Sequence, residues 1–527
     1  MNIKLINLRV KSLITKKNLF LIGFLCIQDK KSRINRKEIK LNLNEKEYNI
    51  KFLFKRLKCL EFIGTLSNLY VVKIPLEDLI TEKIHNKPMF RYKKDNGETE
   101  EWSLRYSLLK GRRTKYLNSK IKIIKEKNTS IYVRQTIKNR LSITVREINK
   151  TDYFSEQLKI NLAYLIAKFI PKTKIAMYEK HSERYEESAS IVYEELIKQG
   201  YKNIYYIINK GNKKLNNIDE KYKKNIVYKY TFKHYLLFFS AKAFIGTESP
   251  GHAIELRIAN KHAAQRIYND KFKYVFLQHG VMYMVSLDSV GRSFFRKDGG
   301  MPENSKIVVS SKEEANHFIE LAGFTEKDLY ITGLPKYDKN KYYEDADKIV
   351  IMLTWRPWEH NMLRNDIYNA PYYKEIERII SAIPDNLKNK IVLMPHPLTL
   401  EALKNSKLSN YILDEFEYNE VLKETKVLIT DYSSIAYDAF YRGSNVIFYW
   451  EEKELCMEQY GGHLMLNDQN AFGEVCYNTK ELSKIIEKEY DNKQKEIFIK
   501  RYRKIVEFYD NKNTDRLIKL LKKDKIV

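Results

Sequence analysis

Three short segments of this 527-residue chain carry residue types suited to phosphate chemistry. The first is Val427-Leu-Ile-Thr-Asp-Tyr-Ser-Ser-Ile-Ala-Tyr-Asp-Ala-Phe440, an apolar run that ends at Thr430 and turns helical within two or three residues. Asp431 and Ser433 are good N-cap types. A helix start after a buried strand offers unpaired backbone N–H groups and a positive dipole end, and the hydroxyls of Ser433 and Ser434 add donors. That is a phosphate cradle built without glycine. Taken alone, the same segment also reads as an ordinary serine cap. The other two segments each put a histidine just past an apolar run: Tyr274-Val-Phe-Leu-Gln-His-Gly280 and Ile391-Val-Leu-Met-Pro-His-Pro397. Gly280 permits close approach of a ligand or backbone, and the two prolines fix the backbone around His396. In open α/β sheets, ligands sit outside the carboxyl ends of strands. A histidine there can act as general base or as a donor to phosphate. One such histidine is usually an inert loop residue; one in each half of a chain is a pattern.

Weaker signals support these. Arg356 leaves the end of an apolar run in Leu353-Thr-Trp-Arg-Pro357 and is a natural diphosphate partner, or else one member of a surface ion pair. Gly333 and Pro335 form a turn in Ile331-Thr-Gly-Leu-Pro-Lys-Tyr-Asp338, and Gly246–His252 follows another apolar run. No HExxH, Walker, GxSxG or DxD pattern stands where those chemistries need one, and no GxGxxG opens either half. No metal-ligand cluster is visible.

These segments need rigid elements to hold them. From residue 173 the chain alternates short apolar strands with helices. Strands are expected at Lys174–Tyr178, Asn203–Ile208, Asn225–Tyr230, Ala243–Gly246, Tyr274–Leu277, Lys306–Ser310 and Leu329–Thr332. After a polar stretch a second series follows at Ile349–Thr354, Ile391–Met394, Val427–Thr430 and Asn445–Tyr449. Such alternation predicts an α/β fold with two doubly wound, Rossmann-like halves facing a cleft. Residues 1–150 read instead as β-rich, with short strands at Leu19–Ile27, Tyr48–Phe54, Tyr70–Ile74, Lys120–Ile124, Ser130–Gln135 and Leu141–Val145 and a turn at Asp95-Asn96-Gly97, which suits an antiparallel sandwich. The expected domains are 1–150, 151–345 and 346–527. Between the first two, Tyr153–Ile170 predicts a helix stopped by Pro171, with an apolar face of Phe154, Leu158, Leu162, Leu165, Ile166 and Phe169. That face reads as core or inter-domain packing, the alternative being a helix lying on a membrane.

The charge is uneven. Of the net +28, residues 1–150 hold 36 Lys and Arg against 14 Asp and Glu, a surplus of +22, and the remainder carries +6. A basic N-terminal third implies an anionic partner. Cys26, Cys59, Cys456 and Cys476 show no CxxC spacing and read as reduced core residues. No apolar run reaches the ~20 residues of a bilayer span, and no signal-peptide pattern opens the chain. A cytoplasmic protein is expected, with any membrane contact peripheral, on the inner face.

In this order, the segments resemble the CDP-glycerol glycerophosphotransferase family, the polymerases and primases of teichoic acid and related capsular polymers. The resemblance runs from about Lys174 to Arg516. Met177–Ile197, with Glu179, His181, Tyr185 and Ser188, looks like its opening strand and loop. Phe276–Gly280 matches its His-Gly, Val308–Asp338 its Ser-rich strand and Gly-x-Pro-[Arg/Lys]-x-Asp, and Leu353–Arg356 its Thr-Trp-Arg. Pro395–Pro397 matches its His-Pro and Leu428–Asp438 its Thr-Asp-Tyr-Ser-Ser…Asp. Phe508–Arg516 is similar to its closing segment, with Asn511 in place of Gly. Gln278 replaces the frequent Trp before His-Gly, Val281-Met-Tyr-Met-Val285 lacks the Lys that often follows it, and Leu398 replaces a basic residue. These departures bear on the acceptor and the transferred unit more than on the fold.

The resemblance implies a GT-B-like pair of Rossmann-type domains, 151–345 on the acceptor side and 346–527 holding the nucleotide donor, with 1–150 as a basic β-rich accessory domain. It implies transfer of glycerol phosphate or ribitol phosphate from a CDP-alditol to a hydroxyl of an anionic or lipid-linked polymer, releasing CMP. His279 would be the base and His396 a donor to the diphosphate. Ser433, Ser434, Arg356 and Asp431 would serve the donor, and Glu179, His181, Gly280, Gly333 and Pro335 the substrate side. No cofactor is evident beyond a Mg²⁺ that could accompany the donor. The alternatives are a GT-B glycosyltransferase using a nucleotide sugar and, outside enzymes, a basic nucleic-acid-binding protein. Nucleic acid is not the expected partner, because no recognisable module carries the charge.

Overall fold

The computed structural model describes residues 4–28, 38–54, 66–81, 84–93, 97–104, 121–136, 140–269, 272–340, 344–414 and 417–527. Asp95, Asn96, Arg112, Arg113, Lys115, Lys120 and Cys59 lie outside them. The chain folds as two compact units. One comprises Met1–Thr173 with Val227–Ala241 and Gly251–Lys271; the other comprises Lys174–Ile226, Lys242–Pro250 and Phe272–Val527.

The first unit is built on two antiparallel sheets. The larger runs, in spatial order, through Lys4–Ile14, Asn18–Gln28, Leu66–Pro75, Lys46–Phe54, Ile39–Leu43, Met89–Lys93 and Thr99–Ser103. The smaller runs through His85–Asn86, Leu141–Glu147, Thr129–Gln135 and Lys122–Ile124. Alternation sets which side chains turn inward, as in Ile39, Leu41 and Leu43. Leu21, Leu25, Tyr70, Val72 and Phe90 of the larger sheet share one core with Ile131, Val133 and Ile143 of the smaller. The β-rich expectation holds. Lys4–Ile14 was not expected as a strand because Arg9 and Lys11 interrupt its apolar run.

The helix expected near residue 153 spans Phe154–Ala167, but its packing corrects the core reading. Its buried positions are Glu156, Ile160, Ala163 and Ala167. Glu156 accepts a 2.7 Å bond from the Tyr235 hydroxyl on the Phe232–Ser240 helix, and Asn260 donates to Gln157 and Asn161 at 2.9 and 3.0 Å. Small residues and hydrogen bonds therefore face inward. Phe154 is 78% exposed and Phe169 88%, and Leu158, Leu162, Leu165 and Ile166 are exposed with them.

The second unit holds two parallel sheets. Within this unit the first runs, in spatial order, Ile204–Ile208, Ile175–Tyr178, Ala243–Gly246, Lys273–Phe276, Ser305–Val309 and Leu329–Ile331. The second is Ile391–Leu393, Lys348–Met352, Thr425–Thr430, Asn445–Tyr449 and Glu474–Cys476. Apart from the short edge strand Glu474–Cys476, the strands are rich in Val, Ile, Leu and aromatic residues, as a sheet covered on both faces requires. In each sheet the strand order reverses beside the first strand of its series. Those switch points lie between Ile175–Tyr178 and Ala243–Gly246, and between Lys348–Met352 and Thr425–Thr430. Crevices for ligands open at such points. One core joins the two sheets, with Val275 and Leu277 of the first beside Val350, Val392 and Leu428 of the second.

The chain then returns to the first sheet. Asp338 accepts from the Asn513 and Thr514 N–H groups at 2.9 and 2.7 Å, holding the start of the Asn513–Lys523 helix. Arg516 Nε donates to the Thr332 carbonyl at 2.9 Å. Gly333 has φ +77°, and a Cβ there would run into the Asn513 side chain. Asn511 stands at φ +55°, a left-handed position that glycine favours and asparagine tolerates. Cys456 and Cys476 are free and buried. Among the described residues, no helix is long and apolar enough to cross a membrane.

Candidate active site

Both switch points and both strand-end histidines belong to the second unit. His279 lies three residues past Lys273–Phe276. The preceding Gln278 is fully buried at φ +59°, strained backbone for a residue with a side chain, and its amide donates to the Val308 carbonyl at 2.6 Å. This aims His279 outward, leaving its side chain 42% open. Nδ1 stands 3.5 Å from Glu248 Oε1. Glu248 follows Ala243–Gly246, and its carbonyl accepts from the Tyr178 and Tyr274 hydroxyls at 3.0 and 2.6 Å. Gly246 is required there, since a Cβ would sit 2.6 Å from the Tyr178 ring. Surrounding protein bulk pulls the His279 pKa down, Glu248 raises it, and Lys180, Lys336 and Arg292 lower it. The net effect is downward, which favours the neutral ring.

Gly280 meets the second half. A Cβ at Gly280 would lie 3.1 Å from Ser434 Oγ, tighter than ordinary contact. Ser433 and Ser434 are half-buried just ahead of the Ile435–Tyr441 helix, and Ser433 Oγ accepts from the Ile435 N–H at 3.4 Å. Lys336, one residue past Pro335, donates to the His279 carbonyl at 2.7 Å and pairs with Asp438 at 2.7 Å. The Gly333–Pro335 turn thus serves to seat Lys336 and the closing helix. Val281–Val285 is buried and makes an antiparallel bridge, Val285 to Leu464, between the halves.

His396 is half-buried and stacks on Trp355 at 5.9 Å, 15° from parallel. Its Nδ1 accepts from the Leu398 N–H at 3.3 Å. Burial, then the Lys180 charge, lowers its pKa to about 4. The neutral ring must therefore carry its proton on Nε2. Asp431 does not cap the helix: its Oδ1 accepts from Thr354 N and Oγ1 at 2.8 and 2.7 Å and from Tyr432 N at 2.5 Å. It ties the loops at the second switch point to one another. Burial raises its pKa and Arg356 opposes that rise.

Arg356 is placed apart from the open groups. It is 1% exposed and bound to Glu375, to Glu452 at 2.6 Å and to Glu359 at 3.3 Å. Glu179 is likewise internal. It accepts from the N–H groups of Glu187 and Ser190 at 3.0 Å and of Glu186 at 3.1 Å, and so caps the Ser188–Lys198 helix. Burial, with the Glu187 charge, raises its pKa to about 7. That carboxylate orders the loop in which His181 and Ser182 take φ of +55° and +57°.

Glu248, Lys336, Thr354 and Arg292 were not singled out from sequence. The Arg292 Nη1 is buried with no hydrogen-bond partner among the described residues, and burial lowers its pKa to about 10. Its charge is one of those felt at His279. Glu248, Thr354 and Lys336 lay within quoted segments, Gly246–His252, Thr-Trp-Arg and the Gly-Leu-Pro-Lys turn, while Arg292 lay in none. Among the described residues, no three His, Cys, Asp or Glu side chains are grouped to hold a metal ion.

Two open parallel sheets, each reversing its strand order beside its first strand, define an α/β protein with a Rossmann-like pair of sheets. Residues 162–523 match the CDP-glycerol:poly(glycerophosphate) glycerophosphotransferases, and the chain belongs to that family. It is 27% identical over 348 residues to the minor teichoic acid biosynthesis protein GgaB of Bacillus subtilis (strain 168), covering 59% of this chain and 35% of that protein. It is 25% identical over 228 residues to the teichoic acid glycerol-phosphate primase of the same organism, covering 41% and 56%. The chain therefore spans about a third and just over half of the lengths of these relatives. The wall teichoic acid polymerase TagF has a similar fold, with a TM-score of 0.50 at 16% identity over 71% of this chain and 95% of that one.

Proposed function

We propose that this protein transfers glycerol phosphate, or ribitol phosphate, from a CDP-alditol to a hydroxyl of a teichoic-acid-like or capsular polymer and releases CMP. The observation that carries this reading is the close approach of Gly280, the residue after His279, to the Ser434 hydroxyl of the other half. The reading treats 151–345 as the acceptor side and 346–527 as the donor side of a GT-B-like enzyme.

In the mechanism, His279 Nε2 takes the acceptor hydroxyl proton while Nδ1 faces Glu248. The acceptor oxygen bonds to the alditol-bearing phosphorus, and the bond from that phosphorus to the CMP phosphate oxygen breaks. The His396 Nε2–H, the Ser433 and Ser434 hydroxyls and the unpaired Arg292 Nη1 stabilise charge on the departing CMP. Such transfer needs positioning and charge stabilisation more than covalent chemistry. Asp431 and Arg356 act as positioning residues that hold the Thr354–Arg356 loop. A Mg²⁺ would arrive with the donor.

The reading further places the protein in the cytoplasm, on the inner face of the membrane. The exposed row Phe154, Leu158, Leu162, Leu165, Ile166 and Phe169 supports that attachment. The decisive experiment follows CMP release with CDP-glycerol, CDP-ribitol and UDP- or CMP-sugars, each with a polymer acceptor. Release from a CDP-alditol is expected. Turnover of a nucleotide sugar alone, or of no donor, would overturn the reading.

A further inference from the structure

The first unit contains a groove of about 950 Å³ on its β-rich part. Its walls come from three places in the chain. Lys16 and Lys17 stand in the turn between the first two strands, Lys73 lies on Leu66–Pro75, and Lys122, Lys125 and Lys127 lie on and just after Lys122–Ile124. Glu77 and Glu126 are the acidic residues that line it, so its surplus is +4. Among the described residues, none of the six ammonium groups is within ion-pair reach of a carboxylate. Six like charges facing a shared concavity repel one another unless a counter-charge occupies it. Leu76 and Ile124 add apolar lining, and Tyr153, the residue before the exposed helix, stands at its edge.

We propose that this groove holds a phosphodiester polyanion at a site separate from the catalytic cleft. Ammonium groups are compact charges with three freely rotating donors each, suited to phosphates of varying orientation along a flexible chain. A concave site favours a threaded chain over a bilayer, whose flat surface meets only what projects. Identifying the chain as the growing alditol-phosphate polymer rests on the proposed function; the binding of a polyanion does not. Held there, the polymer would stay with the enzyme between transfers, and longer products would result.

The test uses the full chain and a fluorescent poly(glycerol phosphate) of defined length, read by anisotropy. Changing Lys16, Lys17, Lys122 and Lys125 to Gln should weaken binding at least about ten-fold and reduce the log–log salt slope by about three, at ~0.7 per lost contact. CMP release with a short soluble acceptor should be unchanged, and product length with a polymeric acceptor should fall. The single reversals Lys16→Glu and Lys125→Glu, from different walls, should each weaken binding and so guard against a fold defect in the quadruple variant. Unchanged binding in these variants would overturn the proposal. So would equal competition by inorganic phosphate at matched phosphate concentration, tighter binding of single-stranded RNA of equal length, or a loss confined to anionic vesicles. Failure of CMP release with all donors, with polymer binding intact and lysine-dependent, would refute the proposed function and leave the groove standing.

Discussion

The backbone at Gly280 and the side chain of Ser434 belong to different parallel sheets, yet only 3.1 Å would separate a Cβ on the first from the hydroxyl of the second. Gly280→Ala should therefore displace that hydroxyl while sparing the fold. Loss of one hydrogen bond to a buried phosphate costs about 1–3 kcal/mol, so donor KM should rise roughly five-fold to a hundred-fold. The double variant with Ser434→Ala should be no worse than Ser434→Ala alone. Additive losses would show that the two positions act separately.

His279→Ala should lower turnover by ~10²–10⁴ without changing the melting temperature. Glu248 raises the His279 pKa, so Glu248→Gln should move the acid limb of the pH–rate profile to lower pH. Movement to higher pH, or none, would exclude Glu248 as the partner of this ring.

Arg356 and Arg292 should separate by readout. Arg356→Met leaves Glu375 buried without its cation, a loss of about 3–5 kcal/mol, and should appear in urea unfolding. Arg292→Met removes a guanidinium with an unpaired Nη1 and should appear in donor KM instead. The reverse pattern would make Arg356 the diphosphate ligand.

Changing both Leu162 and Phe169 to Asp should reduce sedimentation with phosphatidylglycerol vesicles several-fold and leave CMP release with a soluble acceptor unchanged. Equal sedimentation would return that face to some other use.

His234 is wholly buried, and burial lowers its pKa to about 4 even though its Nε2 lies 2.7 Å from the Ala253 carbonyl. A folded pKa below the unfolded one means that stability is present above about pH 6.5 and is lost as pH falls toward 4. At ~1.4 kcal/mol per pKa unit the loss is about 3 kcal/mol. His234→Gln should flatten urea-unfolding free energies over that window; an unchanged acid slope would assign it to other groups.

The strand ends were readable because parallel strands buried on both faces leave unbroken apolar runs. Ala243–Gly246 and Asn445–Tyr449 fall where expected, and each histidine stands two residues past its expected run. Glu474–Cys476 was missed because three residues leave no pattern. What lies across the chain was not readable. Arg356 seemed available for a ligand because its partners Glu375 and Glu452 are 19 and 96 residues away. Glu248 looked like any loop glutamate until folding set it beside His279. The Phe154–Ala167 periodicity revealed a two-faced helix, but Ala163 and Ala167 gave no sign that the small, polar face would be the buried one.

The closing helix also bears on how the protein can be made. Asp338 and Gly333 at the end of the first sheet await Asn513 and Thr514, which leave the ribosome about 180 residues later, some 10–40 s at ~5–20 residues per second. During synthesis the first sheet must wait with that seam open while the second is produced. Expressed alone, a fragment ending near residue 345 would keep that exposed seam permanently, an invitation to chaperones and to aggregation.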